Sequence, residues 1–144
     1  MLIKEKYFDF NDVLIKANVS NVNSRSAVDL KFKSYSKKEV LKDWRPIPVM
    51  SANMDTITDI EMAFELVKNN WIAVLHKYVS IPDMKILFDK VDLFNKENDF
   101  KIDYRNIFIS RGTTETDKLK LKERLESEPR IKSVCIDVAN GHRL

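Results

Sequence analysis

Short apolar runs alternate along this chain with segments whose apolar residues recur every three or four positions. The runs predict buried strands at 47–51, 72–76, 107–110 and 133–137. Between them, helices are expected to begin at a Thr58–Glu61 capping box, near Ser80, and at Thr114 or Thr116. Strands that are apolar on both faces are typical of parallel sheets, and the alternation suits either a closed barrel or an open doubly wound sheet.

The first forty-five residues do not follow this repeat. Residues 13–15 and 28–32 are candidate short strands, and a polar loop at 18–26 separates them. We therefore expect an N-terminal extension with short strands at 1–45, followed by one α/β domain at 46–144.

Composition narrows the class of protein. A chain of 144 residues with 44% hydrophobic and 33% charged residues is typical of a globular domain with a sizeable core. The 25 basic and 22 acidic residues are interspersed, so no nucleic-acid partner is expected. Cys135, the only cysteine, excludes an internal disulfide and suits a reducing compartment. No apolar run approaches the roughly 20 residues of a membrane helix, so we expect a cytoplasmic protein without a membrane partner.

Polar residues follow each predicted strand, where barrels and open sheets both place their sites. Asp55, Lys77 and Asp137 are candidates for a charged network there, either one that holds a phosphate or a purely structural set of ion pairs. Cys135 lies mid-strand and is expected to be a small buried hydrophobe. Two histidines without a third ligand at suitable spacing predict no metal site, and no glycine-rich phosphate loop is present.

Several stretches together resemble the opening of the IMP dehydrogenase and GMP reductase family. They cover essentially the whole chain in the family's order: 8–15, Ser24-Arg25 with 28–30, 46–56, 61–63, 76–77 and 137–141. Asn53, where the dehydrogenases usually have alanine, and the Asp-Val-Ala-Asn-Gly run at 137–141 favour the GMP reductase branch. A fragment similar to IMP dehydrogenase is the alternative.

The resemblance implies a fold and a reaction. The fold is the N-terminal part of a (β/α)₈ TIM barrel, with about four core strands and three helices after a short β extension. The family reaction is the NADPH-dependent reductive deamination of GMP to IMP and ammonia, an oxidoreductase step of purine nucleotide salvage. A cysteine nucleophile attacks the purine ring in this family, and the enzymes are typically homotetramers.

The resemblance also implies roles for nine residues. Six are similar to cofactor-binding residues, the first two of which reach NADPH from a neighbouring subunit in the family: Ser24, Arg25, Lys77, Asp137, Val138 and Ala139. Three resemble the floor of the nucleotide pocket: Ser51, Asn53 and Met54.

The chain also departs from the family pattern. Arg111 replaces a small residue beside Gly112 and is expected to crowd a ligand site, and Tyr78 and His142 replace other family residues. The family's catalytic cysteine loop and monovalent-cation site are expected beyond Leu144, so the 144 residues hold no catalytic residue and are expected to be inactive alone. Three hypotheses stay open: a split enzyme completed by a C-terminal half, a truncated remnant, and a non-catalytic module that binds family subunits.

Overall fold

The computed structural model describes residues 8–31 and 41–140 of the chain. In the second range, helices and strands alternate: α1 (Ile60–Lys68), β1 (Ala73–Leu75), α2 (Ile81–Glu97), β2 (Ile107–Arg111), α3 (Glu115–Ser127) and β3 (Ser133–Ile136). Single 3-10 turns lie at Phe10–Asp12, Arg25–Ala27 and Tyr104–Asn106. None of the helices in the described ranges is long and apolar enough to cross a membrane.

The three strands form one parallel sheet in the order β1-β2-β3. Val74 lies beside Phe108, and Ile109 lies beside Val134. Each strand is connected to the next through a helix, as parallel neighbours require. The α/β class, the parallel arrangement and the three helices are therefore confirmed.

The first predicted strand, at 47–51, is reduced to a single bridge. Met50 pairs with Ile72, and the backbone bonds on either side are Ser51 N to Ile72 O (3.0 Å) and Ile72 N to Val49 O (2.9 Å). Pro48 has no N–H to donate, and the N–H of Val49 turns back to Ile47 O at 2.7 Å. The ladder is too short for a strand, so the expectation of four strands is corrected to three strands and a bridge.

Side-chain caps set where the helices begin. Asp59, not Thr58, caps α1 by accepting from Met62 N at 2.8 Å, so the predicted capping box is wrong by one residue. Ser80 caps α2 and accepts from Asp83 N at 3.2 Å, as predicted. Of the two candidates for α3, Thr114 is the cap, with Asp117 N donating to its hydroxyl at 3.1 Å. Short polar side chains at these positions satisfy N–H groups that lack an intrahelical partner.

The core lies between the helices and the sheet. Its fully buried members include Val67 of α1, Leu87 and Phe88 of α2, and Ile107 and Ile109 of β2. Burying each such side chain stabilises the fold by about 1.5–3 kcal/mol. Helix α3 is different, because its one buried residue is Arg124, whereas Leu119 and Leu125 are 69% and 41% exposed.

The N-terminal extension differs from the expectation of short strands. Every residue from 8 to 31 is exposed, and residues 13–15 and 28–31 belong to no strand. Within residues 8–31 the helical structure consists of two 3-10 turns. Asp9 caps the first turn and Ser24 caps the second. An apolar tripeptide becomes a strand only where a neighbouring backbone pairs with it, and residues 8–31 make no such ladder. Phe32 lies outside the described residues.

Candidate functional site

The carboxyl ends of the three strands meet at one edge of the sheet, because the strands are parallel and in register. Arg111 stands in the middle of this edge, at the end of β2. Its carbonyl oxygen accepts from Asp137 N at 2.8 Å, and its Nη1 donates to the carbonyl oxygen of Lys77. The loops after β1 and β3 are therefore joined through one residue.

Lys77 lies in a tight turn after β1. Val79 N donates to His76 O at 3.3 Å, and Tyr78 N donates to His76 Nδ1 at the same distance. The side chain of Lys77 is exposed, with its Nζ 5.3 Å from the centroid of the Tyr78 ring. The turn therefore directs the carbonyl oxygen of Lys77 toward the buried side chain of Arg111. It leaves the ammonium group of Lys77 accessible to a ligand.

A second arginine reaches the same turn from α3. Arg124 Nη2 donates to Lys77 O at 3.3 Å and also to Val79 O. Arg111 and Arg124 are only 5% and 6% exposed. Burial lowers the pKa of Arg111, and burial together with the charge of Arg111 lowers the pKa of Arg124 to about 10. Both guanidinium groups therefore stay charged at neutral pH.

An open cavity of about 510 Å³ lies beside the two arginines. Its lining comes from the turn after β1, the start of α2, the end of β2 and one side of α3: Lys77, Tyr78, Val79, Ser80, Ile81, Arg111, Asp117, Lys120, Glu123 and Arg124. Among the described residues, Arg111 Nε and Arg124 Nη1 are buried without a hydrogen-bond partner.

Asp117 is the acidic group at the start of α3. It accepts from the Thr114 hydroxyl at 2.6 Å, and this bond, with the backbone N–H groups of Thr114 and Gly112 and the charge of Lys77, lowers the pKa of Asp117. A Cβ at Gly112 would lie 2.5 Å from Asp117 Oδ2, so glycine leaves room for this carboxylate. The Asp117 carboxylate therefore holds the Thr114 hydroxyl at the start of α3.

The expected network of Asp55, Lys77 and Asp137 does not form. None of the ion pairs found within 8–31 and 41–140 joins these three residues. The backbones of Lys77 and Asp137 lie on either side of Arg111, and the acidic group that Lys77 influences is Asp117. Because β2 lies between the two outer strands, Arg111 stands between Lys77 and Asp137.

The residues expected at the nucleotide pocket lie in the loop after the Met50 bridge. The Ser51 hydroxyl accepts from Val74 N at 3.0 Å and so holds this loop to β1. Asn53 is half-buried and Met54 is 52% exposed. The buried Thr58 hydroxyl donates to Ala52 O at 2.6 Å and fixes the path of the loop. Ser51 therefore has a structural bond, whereas Asn53 and Met54 border open space.

The remaining expected site residues are exposed. Asp137, Val138 and Ala139 follow β3 at the same edge as Lys77. Ser24 and Arg25 lie in the N-terminal extension, where the Ser24 hydroxyl bonds within its own turn, 2.8 Å from the Ser26 hydroxyl. Among the hydrogen bonds and ion pairs found within 8–31 and 41–140, those of Ser24 and Arg25 stay within their own turn. Gly141 and His142 lie outside the described residues.

Arg124 is the residue of this edge that sequence reasoning missed. It follows the half-buried Leu121 by three positions, so the two residues share the inward face of α3. The sequence signal that could have identified Arg124 is an arginine at a helix position where the spacing predicts an apolar residue. Arg111, which the sequence predicts to crowd a ligand site, bonds the Lys77 turn in the structure, and the crowding stays a prediction.

Comparison with known proteins finds relatives that match nearly the whole chain. The model of the IMP dehydrogenase / GMP reductase domain matches residues 7–144. The GMP reductase of Shewanella pealeana is 33% identical over 133 residues, which is 92% of this chain and 36% of the relative. The GMP reductase of Buchnera aphidicola is 38% identical with the same coverage, and human GMP reductase 1 is 32% identical over 93% of this chain and 36% of the relative.

A solved structure shows the same likeness. The inosine 5′-monophosphate dehydrogenase of Legionella pneumophila superposes with a TM-score of 0.56 and 27% identity, over 94% of this chain and 36% of that one. The chain thus spans about a third of the length of the proteins it matches, and the match is to their N-terminal portion.

Proposed function

Because the chain belongs to the IMP dehydrogenase / GMP reductase family, we propose that it takes part in the NADPH-dependent conversion of GMP to IMP and ammonia. In this reaction the hydride of NADPH replaces the 2-amino group of the purine, two protons are taken up, and ammonium is released. The single observation that carries the proposal is the sheet edge itself, where Lys77 follows β1 and residues 137–139 follow β3, on either side of Arg111 at the end of β2.

The donor set at this edge fits an anionic dinucleotide. Lys77 offers an exposed ammonium group, and Asp137, Val138 and Ala139 are exposed residues after β3, of which Asp137 already donates its N–H to Arg111 O. A lysine provides a compact positive charge for phosphate oxygens, and an exposed backbone provides amide donors and acceptors for a planar carboxamide. We propose these four residues as the cofactor side of the site, with Ser24 and Arg25 completing it from a neighbouring subunit.

The purine nucleotide is proposed to lie against the loop after the Met50 bridge. Asn53 and Met54 border open space there, while Ser51 holds the loop to β1. An amide at position 53 can both donate to and accept from the edge of a purine ring, whereas an alanine can do neither. Asn53 is therefore the residue through which this loop discriminates between substrates.

Cys135 is not proposed as the nucleophile. It lies within β3, half-buried, and its strand partner is Ser110. A nucleophilic thiol needs to be accessible and to have positive charge nearby. The middle of a sheet strand does not provide such surroundings for the Cys135 thiol. The nucleophile is proposed to come from polypeptide other than these 144 residues. The lone cysteine suits a reducing compartment, and we propose the cytoplasm.

The test combines the full 144-residue chain with the part of a homologous GMP reductase that the match does not cover. Falling NADPH absorbance on adding GMP, with one IMP formed per NADPH consumed, is the expected result. Lys77→Met should raise the KM for NADPH about tenfold, which is about 1.4 kcal/mol of binding, with a smaller effect on the KM for GMP. Lys118→Met, which removes an exposed charge on α3 that pairs with Glu115, is the matched control.

Three other outcomes point elsewhere. Formation of NADH from IMP and NAD⁺ would favour the dehydrogenase branch instead. A folded complex that turns over neither pair of substrates contradicts an enzymatic role. If the chain instead changes the activity of an intact relative on mixing, the non-catalytic binding module is favoured.

A further inference from the structure

Two buried arginines side by side are an unusual feature of this fold. Charged residues are rarely buried unless they are paired, because an uncompensated charge loses its hydration. Arg111 and Arg124 are each at least nine-tenths buried and repel one another. Among the described residues, neither forms an ion pair with a carboxylate.

Backbone carbonyls satisfy only part of their donors. Arg111 Nη1 donates to Lys77 O, and Arg124 Nη2 donates to Lys77 O and Val79 O. Arg111 Nε and Arg124 Nη1 have no partner in the described part of the chain. Carbonyl oxygens supply only partial negative charge, and the Asp117 and Glu123 carboxylates act on the arginines without forming an ion pair with them among the described residues. The N–H groups of Arg111 Nε and Arg124 Nη1 are therefore left without an acceptor.

The cavity beside the arginines supplies the room for a counter-ion. It has a volume of about 510 Å³ and is lined by four cationic side chains, Lys77, Arg111, Lys120 and Arg124. Of its two acidic lining residues, Asp117 is bound to the Thr114 hydroxyl and Glu123 is exposed to solvent. The seventeen-residue helix α2 begins at the rim with Ser80 and Ile81, and its N-terminus adds positive potential.

We propose that Arg111 and Arg124, with Lys77 at the rim, form a binding site for a phosphate group. A planar guanidinium matches phosphate oxygens with two parallel donors, and two guanidinium groups with free N–H directions provide the charge for a dianion. The group is either free inorganic phosphate or a phosphate of a nicotinamide dinucleotide. The site does not rest on the reductase reaction proposed above, and the family resemblance, which expects a small residue at position 111, does not imply it.

The experiment titrates the full 144-residue chain with inorganic phosphate while sodium chloride holds the ionic strength constant. Binding is followed by calorimetry and by the ¹H–¹⁵N signals of the arginine Nε–H groups. We expect a dissociation constant of about 1 mM or below, with a shift of the Arg111 Nε–H signal that saturates at the same phosphate concentration. Chloride alone should produce no saturable shift.

Variants separate the site from general electrostatic attraction. Arg111→Met and Arg124→Met, each checked for folding by circular dichroism, should weaken phosphate binding at least about tenfold. Lys118→Met removes one charge from the same helix outside the cavity and should leave binding within about twofold. Equal effects of all three variants would overturn the proposal. So would phosphate binding to the unaltered chain without a shift of Arg111 Nε–H, a readout that needs no variant to fold.

Competition then identifies the source of the phosphate. If NADPH displaces phosphate and NADH does not, the site takes the phosphate monoester that distinguishes the two cofactors. Displacement by both indicates the shared diphosphate. If neither displaces it, the site takes free phosphate. Each of these three results supports the proposed phosphate site. The absence of saturable phosphate binding would overturn it.

Discussion

The indole Nε1 of Trp44 donates to Asn106 Oδ1 over 2.7 Å and joins residues 62 positions apart. Asn106 is buried immediately before β2, and its Nδ2 donates to Asn70 Oδ1 at 3.1 Å. Asn70 in turn donates to Arg45 O at 3.0 Å and adopts a positive φ of 60°. A chain of side-chain amides thus closes the end of the sheet opposite the candidate site.

Asn106→Ala is expected to destabilise the fold by about 2 kcal/mol, because it leaves the half-buried partners Trp44 and Asn70 each without one hydrogen bond. Urea denaturation followed by tryptophan fluorescence measures the change in the free energy of unfolding. Asn18→Ala is the control, since Asn18 is exposed and its side chain accepts a local hydrogen bond from the N–H of the next residue at 3.0 Å. A change of equal size in both variants would contradict the role given to the buried amides.

Glu128 is expected to make stability fall in acid. It is 2% exposed, and hydrogen bonds from Arg130 Nε (2.7 Å) and Nη2 (2.6 Å) are the largest cause of its pKa lying below 4.5. A lowered carboxyl pKa contributes stability that is present above pH 4.5 and is lost as pH falls toward the folded-state pKa. The free energy of unfolding between pH 6 and pH 3 should therefore decline less in Glu128→Gln than in the unaltered chain.

Glu97→Gln, at the exposed end of α2, provides the comparison for that pH series. It should leave the acid-dependent decline as steep as in the unaltered chain. A Glu128→Gln variant with an unaltered decline would assign the acid sensitivity to other carboxylates. Asp92, whose pKa the Tyr104 hydroxyl and Arg130 lower, would be the next to substitute.

Ser110→Ala is expected to stabilise the protein by about 1 kcal/mol. Ser110 is fully buried in β2, and its hydroxyl has no hydrogen-bond partner among the described residues, so the substitution removes an uncompensated polar group. Thermal unfolding of Ser110→Ala and of the unaltered chain shows whether the substitution raises or lowers stability. Ser133→Ala should act in the opposite direction, since the Ser133 hydroxyl donates to Arg105 O at 2.8 Å. A loss of stability in Ser110→Ala would refute the assignment of an unsatisfied hydroxyl.

Thr114→Ala is expected to cost about 1 kcal/mol of stability, because Asp117 N loses its capping acceptor. Thr114→Ser should retain the cap. Thr116→Ala, two residues further along the chain and exposed, should change the free energy of unfolding by less than half as much. If Thr116→Ala lowered the free energy of unfolding more than Thr114→Ala, Thr116 would be the cap of α3. Chemical denaturation of the three variants compares them directly.

Much of the fold was predictable because it depends on local pattern. The apolar runs at 72–76, 107–110 and 133–137 became β1, β2 and β3. Ser80 and Thr114 cap the helices that follow, since a cap needs only its own side chain and N–H groups two or three residues away. The residues after each strand were correctly expected at one edge, because parallel strands direct their carboxyl ends the same way.

The sequence by itself therefore determined the order of the elements, the parallel sheet and the edge that carries the polar residues. Tertiary structure decided what depends on a distant partner. Residues 13–15 and 47–51 have strand-like patterns, but the first has no paired backbone within the described residues and the second has one bridge to Ile72. Arg111 and Arg124 meet the Lys77 turn from positions 34 and 47 residues away. Local periodicity cannot specify such contacts, because hydrogen bonding and charge burial depend on which groups the folded chain brings together.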